Sequence, residues 1–204
     1  MDLLIFQVPI LMVQASLDGI LLGILFALIA YGMALQWGVM NIINIAQGDL
    51  VILGGYITYF MYLSGIHPAL GVIVAPAIMY FVGVGIYKLV INKVVDRDLF
   101  ISKLATFGIN AALCGVAGSL IAITFTIHPY MGLPYTIRSF MIVIIAGLGN
   151  LPGVALSGMG LGVFEEFADY ILGTEFRIGS VFLLLVLILV YRRFKLSRKR
   201  EYLK

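Results

Sequence analysis

The sequence predicts an all-α, polytopic membrane protein with about five full spans and one broken or re-entrant helix pair. Three observations carry this. The 204 residues are 62% hydrophobic and only 11% charged, and the mean hydropathy is +1.11, far from the balance of a soluble domain. Apolar runs of membrane-crossing length recur along the whole chain. They are separated by short stretches that are either polar and glycine-rich or basic. The expectation is one membrane-embedded unit over residues 1–204.

The elements follow in order. Residues 1–14, MDLLIFQVPILMVQ, are apolar but interrupted by Gln7 and Pro9 and carry no basic residue, so they read as an interfacial helix and not as a signal peptide. Leu17 to Trp37 is the first span; 21 residues at 1.5 Å each give roughly 31 Å, enough to cross the hydrocarbon core. Gly19 and Gly23 lie one turn apart on it, offering a face for close helix packing. The stretch after it places Asn41, Asn44, Gln47, Gly48 and Asp49 between apolar runs. Polar backbone at membrane depth persists only where protein or a wet cavity surrounds it. Leu50 to Leu63 resumes an apolar helix whose aromatics, Tyr56, Tyr59, Phe60 and Tyr62, suit an interfacial end.

After a turn over Ser64–Pro68, Ala69 to Val90 is a further span with Pro76 inside it as a kink. Lys88, Lys93, Arg97 and Lys103 then concentrate positive charge around one connection, which the positive-inside rule makes cytoplasmic. Leu104 to Ile127 follows, with Ala111, Gly115 and Ser119 forming a small-residue face. Residues 128–138 read as a loop. Ser139 to Tyr170 is too long for one span and is broken at GLGNLPG, Gly147 to Gly153, giving two helical pieces joined by an unwound turn. Ile178 to Tyr191 is the last span and runs into a basic tail, residues 191–204, which is then cytoplasmic. Counting back puts Thr174–Arg177 and 128–138 outside and the N-terminus outside.

Much chemistry is excluded. The lone Cys114 and the absence of clustered His, Cys or carboxylate at ligand spacing leave no metal site. No phosphate-binding loop or nucleophile constellation is present, so the chain is expected not to be an enzyme and to need no cofactor. The net charge of +3 resides mostly in the tail and speaks for orientation and lipid contact, not for nucleic acid. Three groups of residues remain as candidates. Asn41, Asn44, Gln47 and Gly48 either line a path or cap helix ends. Gly147, Gly149, Pro152 and Gly153 either expose backbone along a translocation path or make a structural turn. Glu165, Glu166 and Asp169 form an acidic cluster toward the outer face, either functional or solvated.

Two ordered blocks carry a resemblance. GILFALIAYGMALQWGVMNIINIAQGDLVILGGYI resembles the opening of the permease subunits of branched-chain amino acid ABC importers, with Gln47 and Ile45 where that family usually has histidine and an aromatic. MIVIIAGLGNLPGVALSGMGLGVFEE is similar to the family's late glycine-rich break and the glutamate-bearing helix after it, and LCGVAGSL precedes it in the same order. The resemblance implies an inner-membrane permease subunit that forms part of a translocation path. It also implies a second permease subunit, ATPase subunits and a periplasmic binding protein as partners, beside membrane lipid. The chain departs from the family in being shortened: the basic loop and LATFGI run almost directly into NAALCGVAGSL, and no segment resembles the helix that docks on the ATPase. A non-transporting remnant or assembly subunit, or a small autonomous channel or carrier, are the alternatives.

Overall fold

A computed structural model of the protein describes residues 9–93, 99–147 and 149–201. Among these are seven α-helices: α1 (Pro9–Met40), α2 (Gln47–Leu63), α3 (Gly71–Leu89), α4 (Phe100–Thr124), α5 (Gly132–Ala146), α6 (Leu151–Leu172) and α7 (Arg177–Glu201). Short 3₁₀ turns at Pro68–Leu70, Pro129–Met131 and Thr174–Phe176 lead into α3, α5 and α7. Residues 1–8 of the expected interfacial helix, Arg97 of the basic loop, Leu148 of the glycine break and residues 202–204 of the tail lie outside the described residues.

Five helical segments are long and apolar enough to cross a membrane: Ile10–Met40, Pro68–Lys93, Phe100–Thr124, Pro129–Ala146 and Thr174–Tyr191. Their composition corrects the sequence reading in three places. From Pro9 on, the segment expected as a separate helix belongs to α1, which runs without a break to Met40. The segment read as a loop over 128–138 is mostly helix, since Gly132 opens α5 and Arg138 lies within it. The helix expected at Leu50–Leu63 starts at Gln47 but has only 17 residues, about 25 Å, and is not one of the five.

Side-chain contacts fix the helix directions. Met40, Tyr87 and Phe107 form one apolar cluster, packed by Ile42, Ile91, Phe100 and Leu104. The end of α1, the end of α3 and the start of α4 therefore share one end of the bundle, where Lys88 and Lys93 also lie; we call it the basic end. α3 and α4 are antiparallel, with Gly83 against Ala111, Gly115 against Pro76 and the Ser119 hydroxyl 3.0 Å from the Gly71 carbonyl. The small-residue face predicted on α4 thus packs on α3. α1 and α6 are also antiparallel and closer still: a Cβ on Gly19 would stand 2.6 Å from the Val163 Cα, and one on Gly23 2.5 Å from the Met159 Cα. Gly19 and Gly23 supply the close face predicted for them, and α6 fills it through Gly158 and Gly162.

α5 runs beside α1 in the same direction, with Phe26 near Tyr135 and Trp37 stacked on Phe140 at 6.0 Å. α5 and α6 accordingly form a hairpin that turns at the basic end, as the sequence predicts for the broken pair. One buried apolar cluster draws residues from all seven helices, including Ile29, Val51, Met79, Cys114, Ile142, Leu161 and Val181. α7 adds Val181 alone to the fully buried members, and its apolar residues Leu183, Val186, Leu187 and Tyr191 are exposed, as expected of a face turned to lipid.

Candidate functional site

Two polar constellations stand inside this apolar frame, and each begins with a helix end. The first lies where α1 stops. Asn41 takes a left-handed backbone conformation at φ 52°, which asparagine tolerates better than most residues, and its N–H still reaches the Trp37 carbonyl at 2.9 Å. The chain then folds back along the bundle. The Asn44 side chain accepts the Ala46 N–H at 3.1 Å, the Gln47 N–H reaches the Asn44 carbonyl at 3.2 Å, and α2 starts.

That start lies deep. Gln47 donates through Nε2 to the Ile29 carbonyl of α1 at 3.1 Å and to Asn110 Oδ1 of α4 at 2.8 Å, with Cys114 Sγ at 3.2 Å. Asn110 donates in turn to Gln36 Oε1 at 2.7 Å and Gln47 Oε1 at 3.0 Å. Gln36, Gln47, Asn110 and Cys114 are all buried. Three helices are tied by amides that satisfy one another, the arrangement a low-dielectric interior requires.

The folded-back backbone has its own partner on α5. The Thr136 hydroxyl accepts the Gly48 N–H at 2.9 Å and donates to the Ile45 carbonyl at 3.0 Å. Gly48 is needed there because a Cβ would run into the Gly132 carbonyl and stand 2.8 Å from Thr136 Oγ1.

Two polar breaks between apolar runs, each needing partners for freed backbone groups, carry the expectation that they approach each other in the interior; the structure corrects it. Asn41–Gly48 packs on the start of α5, at Gly132 and Thr136, and not on Gly147–Gly153. The second break is a turn at the rim. Gly147 and Gly149 take φ 85° and 78°, a Cβ on either would meet nothing within 4 Å, and Gly149, Asn150, Leu151 and Pro152 are exposed. Asn150 caps α6 by accepting the Gly153 N–H at 3.0 Å, and it donates to the Ala146 carbonyl at 3.2 Å. Pro152 sits in the first turn of α6, where its missing N–H costs nothing. Of the four polar-stretch candidates, Gln47 and Gly48 are buried in packing, Asn41 is exposed, and Asn44 borders a groove of ≈ 250 Å³ with Gln36, Ile43 and Phe107. Asn44 Nδ2 is buried there without a hydrogen-bond partner.

The second constellation lies toward the opposite end, where α5, α6 and α7 meet. Glu165 is fully buried and receives two arginines: Arg138 in a two-point pair, Nε to Oε1 at 2.6 Å and Nη2 to Oε2 at 3.0 Å, and Arg177 Nε to Oε2 at 3.1 Å. Arg177 also donates from Nη2 to Glu166 at 2.7 Å, and its Nη1 stands 3.8 Å from Asp169. Arg138 lies over the rings of Phe26 and Tyr135, 5.0 and 5.7 Å from their centroids.

The expected acidic cluster is thus one half of an ion-pair cluster. Burying a carboxylate with two guanidiniums is tolerable because every charge is hydrogen-bonded; removing one partner typically costs about 3–5 kcal/mol. Sequence reading missed both arginines, placing Arg138 at the edge of one loop and Arg177 at the edge of another. No signal in the sequence marks either as a buried partner, because a basic residue at the margin of an apolar run reads as a membrane boundary.

No group of three or more potential metal ligands occurs among the described residues, and His67 accepts the Ala69 N–H to cap the turn before α3.

Comparison with known proteins falls on the same helices. Residues 93–191, which take in α4, α5, α6 and most of α7, match a family model described as "Branched-chain amino acid transport system / permease component". Over these residues the chain is similar to branched-chain amino acid permeases. It is 36% identical over 88 residues to the high-affinity branched-chain amino acid transport system permease protein BraD of Pseudomonas aeruginosa, a segment covering 43% of this chain and 29% of the relative. It is 36% identical over 86 residues to the corresponding protein LivH of Salmonella typhimurium, and 35% identical over 86 residues to LivH of Escherichia coli, each covering 42% of this chain and 28% of the relative. The matched part therefore spans less than a third of the length of these permeases. No solved structure matches the chain.

Proposed function

We propose that the chain is a permease-type membrane subunit for branched-chain or related amino acids, working with ATPase subunits, a second permease subunit and an external binding protein. The observation that carries the reading is the family match over residues 93–191. That stretch supplies two separate parts of the bundle: α4 packs on α1, α2 and α3, and the α5–α6 hairpin with α7 holds the buried ion pairs. The proposed orientation puts the basic end in the cytoplasm, because Lys88, Lys93 and the α7 extension beyond Tyr191 gather there. The arginines of the other end, Arg138 and Arg177, are neutralised by Glu165, Glu166 and Asp169 and do not oppose it. Asn44, beside its groove at the basic end, is the polar-stretch residue best placed on a path for solute; Gln47 supports it from behind through Asn110 and Gln36.

A specific observation favours a second reading, that of an assembly subunit without transport of its own. Among the described residues, the helix-to-helix connections at the basic end contain no helix beyond the three-residue turn Ile91–Lys93, and the helical surface presented there is the continuation of α7 to Glu201. Reconstitution separates the two. The chain is placed in proteoliposomes with its candidate ATPase, second permease and binding protein, and uptake of labelled leucine is followed. Uptake that needs ATP and all components supports the importer reading; assembly of a stable complex whose uptake is indifferent to this chain supports the second. Reporter fusions at Lys93 and after Glu201 that read as external would overturn the orientation.

A further inference from the structure

The ion-pair cluster at the end opposite the basic connections is not closed on all sides, and two cavities open onto it. One, of ≈ 360 Å³, has apolar walls that include Leu22, Phe26 and Phe125, together with Arg138 and Arg177. The other, of ≈ 550 Å³, is lined by Glu166 and Asp169 and no basic residue. Thr174 lines both. The arginine edges thus face one cavity and the carboxylates the other, with a single threonine at the rim between them.

The hydrogen bonding leaves capacity on each side. Arg138 spends Nε and Nη2 on Glu165, and among the described residues nothing takes its Nη1. Arg177 Nη1 is 3.8 Å from Asp169, too long for a hydrogen bond. Asp169 Oδ1 is buried with no hydrogen-bond partner, which a native structure rarely leaves unexplained. Glu165, holding both arginines, is inaccessible and fixes their positions without competing for a ligand.

We propose that this junction is a binding site for a small zwitterion with an apolar side chain, a class that includes the aliphatic amino acids. The ligand carboxylate meets the free edges of Arg177 and Arg138, and its ammonium meets the Glu166 and Asp169 carboxylates that line the other cavity across Thr174. The side chain enters the apolar cavity against Leu22, Phe26 and Phe125. A zwitterion placed over an ion pair sets each charge against its opposite. A plain anion would meet Glu166 and Asp169, and a plain cation would meet the guanidiniums. The choice of an aliphatic amino acid among zwitterions rests on the function proposed above; the charge arrangement does not. The same chemistry, an ammonium and an anion on an apolar body, is carried by the phosphatidylethanolamine headgroup, so the test must separate the two.

Binding of leucine, isovalerate (no ammonium) and leucinamide (no carboxylate) to the full chain in phosphatidylglycerol nanodiscs is measured by calorimetry. Leucine is expected to bind at least tenfold more tightly than either analogue, and Glu166→Gln and Asp169→Asn each to weaken leucine at least fivefold. Ile178→Trp, which fills the apolar cavity from its exposed wall, is expected to weaken leucine while leaving the melting temperature unchanged, so that a folding defect in an acid variant does not decide the matter. Analogues binding within twofold of leucine, or Ile178→Trp without effect, overturn the site. Loss of leucine binding when phosphatidylethanolamine replaces phosphatidylglycerol identifies a lipid headgroup as the occupant and likewise overturns it. Failure of the permease reading is distinct: leucine binding would persist with its predicted pattern while reconstituted uptake stayed absent. Uptake that is normal in the Glu166→Gln, Asp169→Asn and Ile178→Trp variants would instead leave that reading standing and remove this site.

Discussion

Of the chain's reversals at the basic end, those at residues 41–46 and at residues 147–150 solve the same problem in opposite ways. The first returns into the bundle, so that α2 starts at the depth of Ile29 and Asn110, and its freed polar groups are taken by Thr136 and by an amide network. The second stays at the rim, with glycines in conformations that nothing crowds and an asparagine that caps the next helix. Both read in sequence as polar breaks between apolar runs. What separates them is the presence of partners: Gln36 and Asn110 sit on other helices at the height where Gln47 arrives, whereas among the described residues no side chain from another helix bonds Asn150.

The contrast is most exposed at the glycines. Gly48→Leu is expected to destabilise by about 3 kcal/mol or more, at the upper end of overpacking costs, because the obstacle is the Gly132 backbone and not a mobile side chain. Leu at Gly149 meets no such wall. Unfolding of both variants in detergent micelles checks this, and equal losses at the two sites would erase the distinction between the reversals.

The amide network gives the next largest effect. Asn110→Leu removes both donors to Gln36 Oε1 and Gln47 Oε1 and the acceptor for Gln47 Nε2, and it is expected to cost about 2 kcal/mol, within the range for leaving buried partners unpaired. Interhelical bonds in membrane proteins average lower than this; the larger figure follows from one side chain serving two others. The double variant Asn110→Leu with Gln47→Leu is expected to lose less than the sum of the singles, since each removes the other's unmet group. Additive losses would mean that the amides act separately.

Much of this arrangement was legible in the sequence, for reasons that can be named. Helix existence followed from apolar length, because a bilayer admits few other solutions. The hairpin of α5 and α6 followed from parity, given basic charge at both the loop and the tail. Gly19, Gly23, Gly115 and Ser119 announced close packing by spacing alone. The depth of α2 was not legible, since nothing within Gln47–Leu63 marks where its first residue lies; that is set by Asn110 and Gln36, which are distant in sequence. Nor were Arg138 and Arg177 legible as partners of Glu165. Charge near the end of an apolar run reads as a boundary, and only packing tells a boundary from a buried pair.

At the second reversal the effects are smaller and local. Gly149→Ala is expected to cost about 1–2 kcal/mol, the steric penalty of a left-handed residue bearing a Cβ. It should not alter the helix packing, because a Cβ there touches nothing. Hydrogen exchange confined to residues near the start of α6 is the expected signature, and slowed or accelerated exchange at Gln47 or Asn110 would link the two reversals.

The smallest expected effect separates the two bonds of Asn150. As the cap of α6 its Oδ1 accepts the Gly153 N–H, while its Nδ2 donates back to the Ala146 carbonyl at the end of α5. Asn150→Ala removes both and is expected to cost about 1 kcal/mol, the usual worth of a cap. Asn150→Asp keeps the cap acceptor, improves it by placing a negative charge at a helix N-terminus, and loses only the donor to Ala146. If the cap dominates, the aspartate variant melts within a degree or two of the parent and the alanine variant well below it. If the bond to Ala146 dominates, both fall together. The turn would then be held from the α5 side, and the rim reversal would resemble the buried one in depending on a partner outside its own helix.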